Sequence, residues 1–414
     1  MARRAMSAYD AEVIVVGGGP AGAATAWMLA RGGRHVLLLD RAAFPRPKPC
    51  AEYISPEACR ILDDMGVMPT VERAGAARLT GMRVRAPDGS ELLGEFGAAR
   101  GLIGSRVLGV ALRRERFDML VLDVARSAGV RVRERMHVRD LVRDNADRVS
   151  GVRLADGGTL TARIVIGADG LRSVVARRLG LGRHARRPRR MAFVTHYANV
   201  AGVGLHGEMH VERDGYVGLA RVDGDLVNVA VVVPAVHARD AAGYPAQFVD
   251  GWVRRRAQLA HRFAGATRVT PVATTGPFAW ETTRAWAPGA ALVGDAADFF
   301  DPFTGEGIYA ALRGAELLTP YVHAVCAARS ARDEVEALSA YDRCRRDAFR
   351  GKWRLEKLVG LAVGWPAFMN RAARGLARRR DLADTFVGVT GDVVPASEVL
   401  RPGYVLALAH AALR

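Results

Sequence analysis

The sequence predicts an α/β fold: a Rossmann-like dinucleotide-binding domain, interrupted by a β-rich domain and followed by a helical C-terminal region. Three observations carry this. The segment Gly17-Gly18-Gly19-Pro20-Ala21-Gly22 follows the apolar run 13–16 and opens a helical pattern. Two further apolar runs end in Gly/Asp turns: Ile164-Val165-Ile166 before Ala168-Asp169-Gly170, and Ala290-Ala291-Leu292-Val293 before Gly294-Asp295. Between the first and last of these the middle of the chain alternates as strands do, and after Asp295 it reads as helix nearly to the end.

The elements follow in order. The first strand is 13–16, and Pro20 suits the first turn of a helix that Gly32-Gly33 stops. The second strand, 35–39, ends in Asp40. Pro45, Pro47, Pro49 and Pro56 make 44–56 an extended loop rather than a helix. Residues 57–65 read as helix, and short alternating runs with a Pro87-Asp88-Gly89 turn fill 78–100. A long helix is predicted over 110–128, with Leu112, Phe117, Leu120, Val121 and Val124 on one face. Short strands continue to 165, further strands occupy 191–232, helices return over 244–262, and another strand lies near 268–279. This assigns 8–75, 101–185 and 281–330 to a discontinuous cofactor domain, 76–100 and 186–280 to a β-sheet substrate domain, and 331–414 to the helical region.

Composition narrows the function. Half of the residues are hydrophobic, enough for a large core. No apolar stretch reaches the roughly 18–20 residues of a membrane span; the nearest, 358–368, contains Pro366, and Tyr9, Asp10 and Glu12 interrupt any N-terminal signal core. A cytoplasmic protein is expected, with a peripheral membrane contact as the open alternative. The formal charge is +17, yet only three lysines occur, so the charge is almost all arginine. The clusters 183–190 and 371–380 lack the interleaved aromatics of a nucleic-acid platform, so no nucleic-acid partner is expected. The first reads as a solvated basic surface; for the second, contact with anionic lipid is weighed against the same reading. Cys50, Cys59, Cys326 and Cys344 show no metal-ligand spacing, and no metal is expected.

The glycine motifs carry the chemistry. In the first, Gly17 permits the tight turn, Gly19 lets backbone approach a pyrophosphate, and Gly22 permits close helix–strand packing. Pro20 and Ala21 sit at the helix start, whose N–H groups and dipole favour phosphate. Asp40, with Arg41 beside it, stands 18 residues past Gly22, where an acid meets the ribose hydroxyls. That motif alone suits NAD or FAD. Three such turns far apart in sequence imply one extended ligand passing all three, which points to FAD. The loop Asp301-Pro302-Phe303-Thr304-Gly305-Glu306-Gly307 leads into a long helix, whose first N–H groups, around Gly305 and Gly307, suit the negatively polarised edge of a reduced flavin.

With these motifs in this order, nearly the whole chain resembles the p-hydroxybenzoate hydroxylase-like superfamily, the group A flavoprotein monooxygenases. The resemblance implies that Asp295 holds the ribityl chain, that Asp169 and Gly170 lie near the pyrophosphate, and that Arg114, four residues before Asp118, contacts it. Within the superfamily the chain is most similar to the geranylgeranyl reductase family. Lys48-Pro49-Cys50-Ala51-Glu52-Tyr53 is similar to that family's K-x-C-G-G loop, with Ala51 and Glu52 in place of its glycines. Tyr216-Val217-Gly218-Leu219-Ala220-Arg221 stands where the family has Y-x-W-x-F-P, without its Trp and Pro. The strand containing Val227-Asn228-Val229 and the helical C-terminus also fit. Cys50 is either a group that positions or protonates substrate beside the flavin or a small packing residue. Lys48 either neutralises charge on flavin or substrate or is a surface lysine. Tyr216 and Tyr53 are candidates for substrate contact, and Glu52 is a polar candidate without a role.

Two functions stand open. One is an FAD-dependent reductase of carbon–carbon double bonds in a hydrophobic, isoprenoid-like substrate. The other is a monooxygenase using FAD, NAD(P)H and oxygen on an aromatic or polyketide-like substrate. A halogenase would want a W-x-W-x-I-P segment, which this sequence lacks. A flavin-containing surface protein without turnover is the non-enzymatic reading. No second G-x-G-x-x-G marks a separate nicotinamide domain, so NAD(P)H or another donor would bind transiently.

Overall fold

The computed structural model describes residues 9–101, 107–184, 189–241 and 243–413. Two large sheets organise it. The first holds a parallel core in the order Ala290–Leu292, Thr159–Gly167, Ala11–Val16, Val36–Leu39, Arg131–Arg133. Ala11–Val16 is buried along nearly its whole length, as a strand covered on both faces must be. Helices Pro20–Arg31, Arg114–Ser127 and Gly307–Ala327 pack together over this sheet. The strand Thr159–Gly167 serves three partners. Its first half pairs antiparallel with Val149–Leu154, and its second half runs parallel to Ala11–Val16 and Ala290–Leu292.

The second sheet is antiparallel except at one junction. Its order is Thr267–Arg268, Arg190–Ala198, Val227–Pro234, Gly215–Arg221, His206–Glu212, Gly81–Arg85, Glu91–Glu95, with the Gly81 strand parallel to the His206 strand. One face packs on helix Pro245–Arg254 through Phe193, Tyr197, Val217 and Val229. The other face carries Ala192, Val194, Met209, Ala230 and Val232 and packs toward the C-terminal helices. Those are chiefly Ala331–Ala362, Pro366–Arg378, Arg380–Thr390 and Pro402–Leu413.

Two local expectations need correction. The helix expected over 110–128 starts only at Arg114, because Gly109–Ala111 is a strand held between Tyr53–Ile54 and Ala77–Leu79. Its β-branched Val110 suits that sandwiched position. The basic cluster 183–190 is not wholly a solvated surface: Arg190 is buried and its Nη1 donates to Asp301 Oδ2 at 2.6 Å. Arg183 does remain exposed, near Glu281, and 185–188 lie outside the described residues.

Candidate active site

Strand order brings the three glycine motifs together. Each follows the C-terminal end of one of three adjacent parallel strands, and Asp40 follows the next strand over. The first strand has a neighbour on each side, so its crossovers diverge there and leave a crevice, the place where open α/β sheets bind ligands. Ala168 N–H donates to Val16 O at 2.8 Å and Val293 N–H to Gly167 O at 3.0 Å, so the three turns are laced edge to edge.

The glycines are required for different reasons. Gly17 has φ +106°, and a Cβ there would lie 2.4 Å from Ala168 O. At Gly22 a Cβ would lie 1.8 Å from Gly17 O, so the helix can approach its strand only with glycine. Gly19 differs. A Cβ there would meet only the guanidinium tips of Arg46, at 3.6 Å, and Arg114, at 4.0 Å. Gly19 therefore fronts open space at a helix N-terminus bordered by two cations, which fits a diphosphate.

These groups line one cavity of about 550 Å³. Its wall includes Gly17, Gly19, Pro20, Ala21, Asp40, Arg41, Lys48, Cys50, Tyr53, Arg114, Asp169, Gly170, Tyr216, Asp295, Gly305 and Gly307. Gly22 and Gly294 stand behind the wall; Gly294 has φ +64° and packs on Ala21. Asp40 is buried, and its carboxylate accepts from Gly18 N–H at 2.7 Å and Ala42 N–H at 2.8 Å. The Asp169 carboxylate accepts from Ser173 Oγ–H and from Val174 N–H at 2.6 Å, so it secures the short helix Val174–Arg178. Burial pushes its pKa up against those bonds.

Asp118 organises the cations. It accepts both Nε and Nη2 of Arg114, at 2.6 and 2.7 Å, and stands 3.2 Å from Arg46 Nη1. Burial opposes the Arg114 charge, but Asp118 outweighs it and the guanidinium is held above its usual value. Arg46 was missed in the sequence because it sits among prolines, outside any motif. Its signal was position: a cation in the loop after the second strand, level with the first glycine turn. Lys48 Nζ lies 3.8 Å from Asp295 Oδ2. Surrounding protein and then the Arg114 charge push its ammonium below the usual range; the exposed third of the side chain faces the cavity, where a bound anion would restore it. Cys50 Sγ accepts from Glu52 N–H at 3.3 Å.

Beyond the cradle the wall is largely apolar, with Ala192, Val194, Met209, Gly218, Ala230, Val232 and Phe278, though Thr274, Thr275 and Glu208 also line it. The tyrosines present rings rather than hydroxyls there. Tyr216 O–H donates to Asp301 Oδ1 at 2.7 Å, and its ring meets Phe303 edge-on at 5.0 Å. Burial, then the Asp301 charge, lifts that phenol well above its ordinary value. Tyr53 is buried under Gly305, where a Cβ would lie 2.7 Å from its ring, and its hydroxyl donates to Thr390 O at 3.4 Å. Asp301 was not singled out from sequence; it takes Tyr216, Arg190 and Phe303 N–H and so fixes the 301–307 loop.

Comparison with known proteins agrees with this cradle. Residues 10–351 match the family model described as FAD binding domain. The chain is 32% identical over 349 residues to a digeranylgeranylglycerophospholipid reductase of Methanothrix thermoacetophila, covering 81% of this chain and 83% of the relative. It is 30% identical over 312 residues to a menaquinone reductase of Mycobacterium tuberculosis, covering 73% and 74%. Among solved structures, a flavin-dependent brominase superposes with TM-score 0.81 at 20% identity, covering 97% of this chain and 98% of the other. The myxobacterial chondrochloren halogenase gives 0.78 at 23%, covering 97% and 95%; both likenesses speak to fold alone. A dinucleotide cradle of this form, matched over most of the chain and shared with reductases at this identity, leaves one assignment: the chain belongs to the FAD-binding-domain family, in its geranylgeranyl reductase branch, and is an FAD-dependent oxidoreductase.

Proposed function

We propose that this oxidoreductase reduces carbon–carbon double bonds of a hydrophobic, isoprenoid-like substrate. The observation that carries the reading is the division of the cavity. One end is cationic and glycine-lined; the other is walled mainly by apolar side chains, with the Tyr216 hydroxyl and the Asp301 carboxylate satisfying each other and the Glu208 carboxylate held by His210 and Arg262. An uncharged chain can occupy such a wall at less desolvation cost than an ionic substrate. The reductase names of two relatives support the reaction class. When bound, reduced FAD supplies the hydride. The sheet face holds the alkene and excludes water. Arg46 and Arg114 would hold the diphosphate, Asp40 and Asp295 would take hydroxyls, and Lys48 would balance charge. The Cys50 thiol, at the cavity wall, would give the other alkene carbon its proton and regain one from solvent. NAD(P)H or another donor would supply the electrons.

The test is turnover of chemically reduced protein with a lipid-plus-metabolite extract, with and without oxygen. A substrate gaining two hydrogens anaerobically supports the reading. A product gaining one oxygen, formed only in air, sinks it in favour of monooxygenation.

Among the described residues no helix is long and apolar enough to cross a membrane. We infer instead that such a substrate is met at a membrane surface. Leu358, Leu361, Trp365 and Phe368 are 45–63% exposed around one helix junction, and the Trp365 and Phe368 rings stack at 5.9 Å. Exposed Arg354, Lys357 and Arg371 flank them, and the inward side of the same turn, Ala362 and Val363, packs into the core of the cavity wall. An apolar tip with a basic rim suits an anionic bilayer. Flotation with phosphatidylglycerol vesicles should carry the protein and lose it in W365S/F368S; no flotation of the parent protein at low salt removes the idea.

A further inference from the structure

Glu52 occupies a position its backbone would give to glycine. Its φ is +62°, in the left-handed region that side chains disfavour. Its side chain is nevertheless buried, at 3% exposure, and both carboxylate oxygens are engaged. Oε1 accepts from the Arg114 backbone N–H at 2.9 Å. Oε2 accepts from Asn228 Nδ2–H at 2.9 Å and lies 2.7 Å from His196 Nε2. The same Asn228 amide donates to Cys50 O at 2.9 Å.

The partners come from three elements. His196 and Asn228 are paired across neighbouring strands of the substrate sheet, so they present one cross-strand clamp. Arg114 N–H opens the helix whose guanidinium borders the cradle. The imidazole is fixed from behind: His196 Nδ1 lies 3.0 Å from the Thr270 hydroxyl. With Thr270 donating to Nδ1, Nε2 carries the hydrogen and points it at Glu52. The Cys50 loop is therefore bound at once to the sheet that forms the substrate wall and to the helix that borders the cofactor.

We propose that Glu52 is a positioning residue, which fixes the height and direction of Cys50 over the cavity. This rests on the reading of Cys50 as a group at the reacting end. A glycine would relieve the backbone, so the retained carboxylate is explained by what it holds. The clamp restrains the loop that carries the thiol between the substrate sheet and the helix beside the cofactor cradle.

The experiment needs no substrate, so its failure is separable from failure of the reductase reading. Flavin-loaded parent, Glu52→Gly, Glu52→Gln and His196→Gln proteins are alkylated with iodoacetamide, and each cysteine is followed by peptide mass spectrometry. In Glu52→Gly the Cys50 rate should rise about tenfold, the effect of losing a charged hydrogen bond from a local opening equilibrium. Cys59, Cys326 and Cys344 should keep their rates. Glu52→Gln, which retains one acceptor oxygen, should fall between, and His196→Gln should follow it. Unchanged Cys50 labelling in the folded variants overturns the proposal. So does a rise at all four cysteines together, which would mark general loosening.

Discussion

The Lys352 ammonium stands 3.2 Å from the Glu306 carboxylate, joining the helix Ala331–Ala362 to the residue that precedes Gly307–Ala327. Lys352 also pairs with Asp392, whose other oxygen accepts from Ser55 Oγ–H at 2.8 Å. Glu306 and Asp392 side chains are both 3% exposed. Lys352→Met would leave Glu306 and Asp392, and the Glu356 carboxyl beside Glu306, without their cation. We expect a loss of about 3–5 kcal/mol in urea unfolding, with weaker flavin retention because the 301–307 loop loses its brace. Unchanged stability and flavin content would show that the pair is dispensable.

Gly17 and Gly19 separate folding from cofactor binding. Gly17→Ala forces a Cβ to 2.4 Å from Ala168 O and should cut soluble yield. Gly19→Ala meets nothing nearer than 3.6 Å and should fold with an apoprotein Tm close to the parent. Its methyl would occupy the diphosphate's approach, so flavin titration should show affinity down at least about tenfold. Parental affinity in Gly19→Ala would move the diphosphate elsewhere.

Acid should loosen one buried cluster. Burial raises the Glu208 pKa, but His210 and Arg262 outweigh it and hold the carboxyl at about 2, below its ordinary 4.5. A depressed folded pKa adds stability above pH 4.5, lost as pH falls toward 2. The contribution is on the order of 3 kcal/mol. Glu208→Gln should flatten the stability–pH curve in that window while lowering stability at neutral pH; an unflattened curve would assign acid sensitivity to other groups.

Tyr216→Phe removes the donor to Asp301 and leaves the ring contact with Phe303. The expected cost is about 1.5–3 kcal/mol, the range for a hydrogen bond to a charged group. Differential scanning calorimetry would read it. A variant as stable as the parent would mean that Arg190 and Phe303 N–H suffice for Asp301.

Much of this was legible because covalent neighbours set it. Strand, glycine turn, helix and Asp40 are contiguous in sequence, so local pattern located the cradle. Arg46, Asp301 and the Glu52 clamp were not legible as functional. Arg46 gains meaning only when Asp118, far along the chain, lies 3.2 Å away. Arg190 looked like surface because charge clusters usually are; its buried partner Asp301 lies 111 residues on. The 110–128 helix was overextended since Val110 fits an apolar helix face as well as a strand, and only the pairing of Gly109–Ala111 with two other strands decides.

The three laced turns also set an order of assembly. The parallel core needs Ala290–Leu292 beside Thr159–Gly167, and the cradle needs Asp295 and the start of Gly307–Ala327. A nascent chain stopped before residue 290 has the first glycine turn but not the third, so it offers flavin an unfinished site. Contacts this distant in sequence form slowly. The complete cradle therefore exists only once the chain past residue 307 has emerged, so cofactor loading is expected late in synthesis.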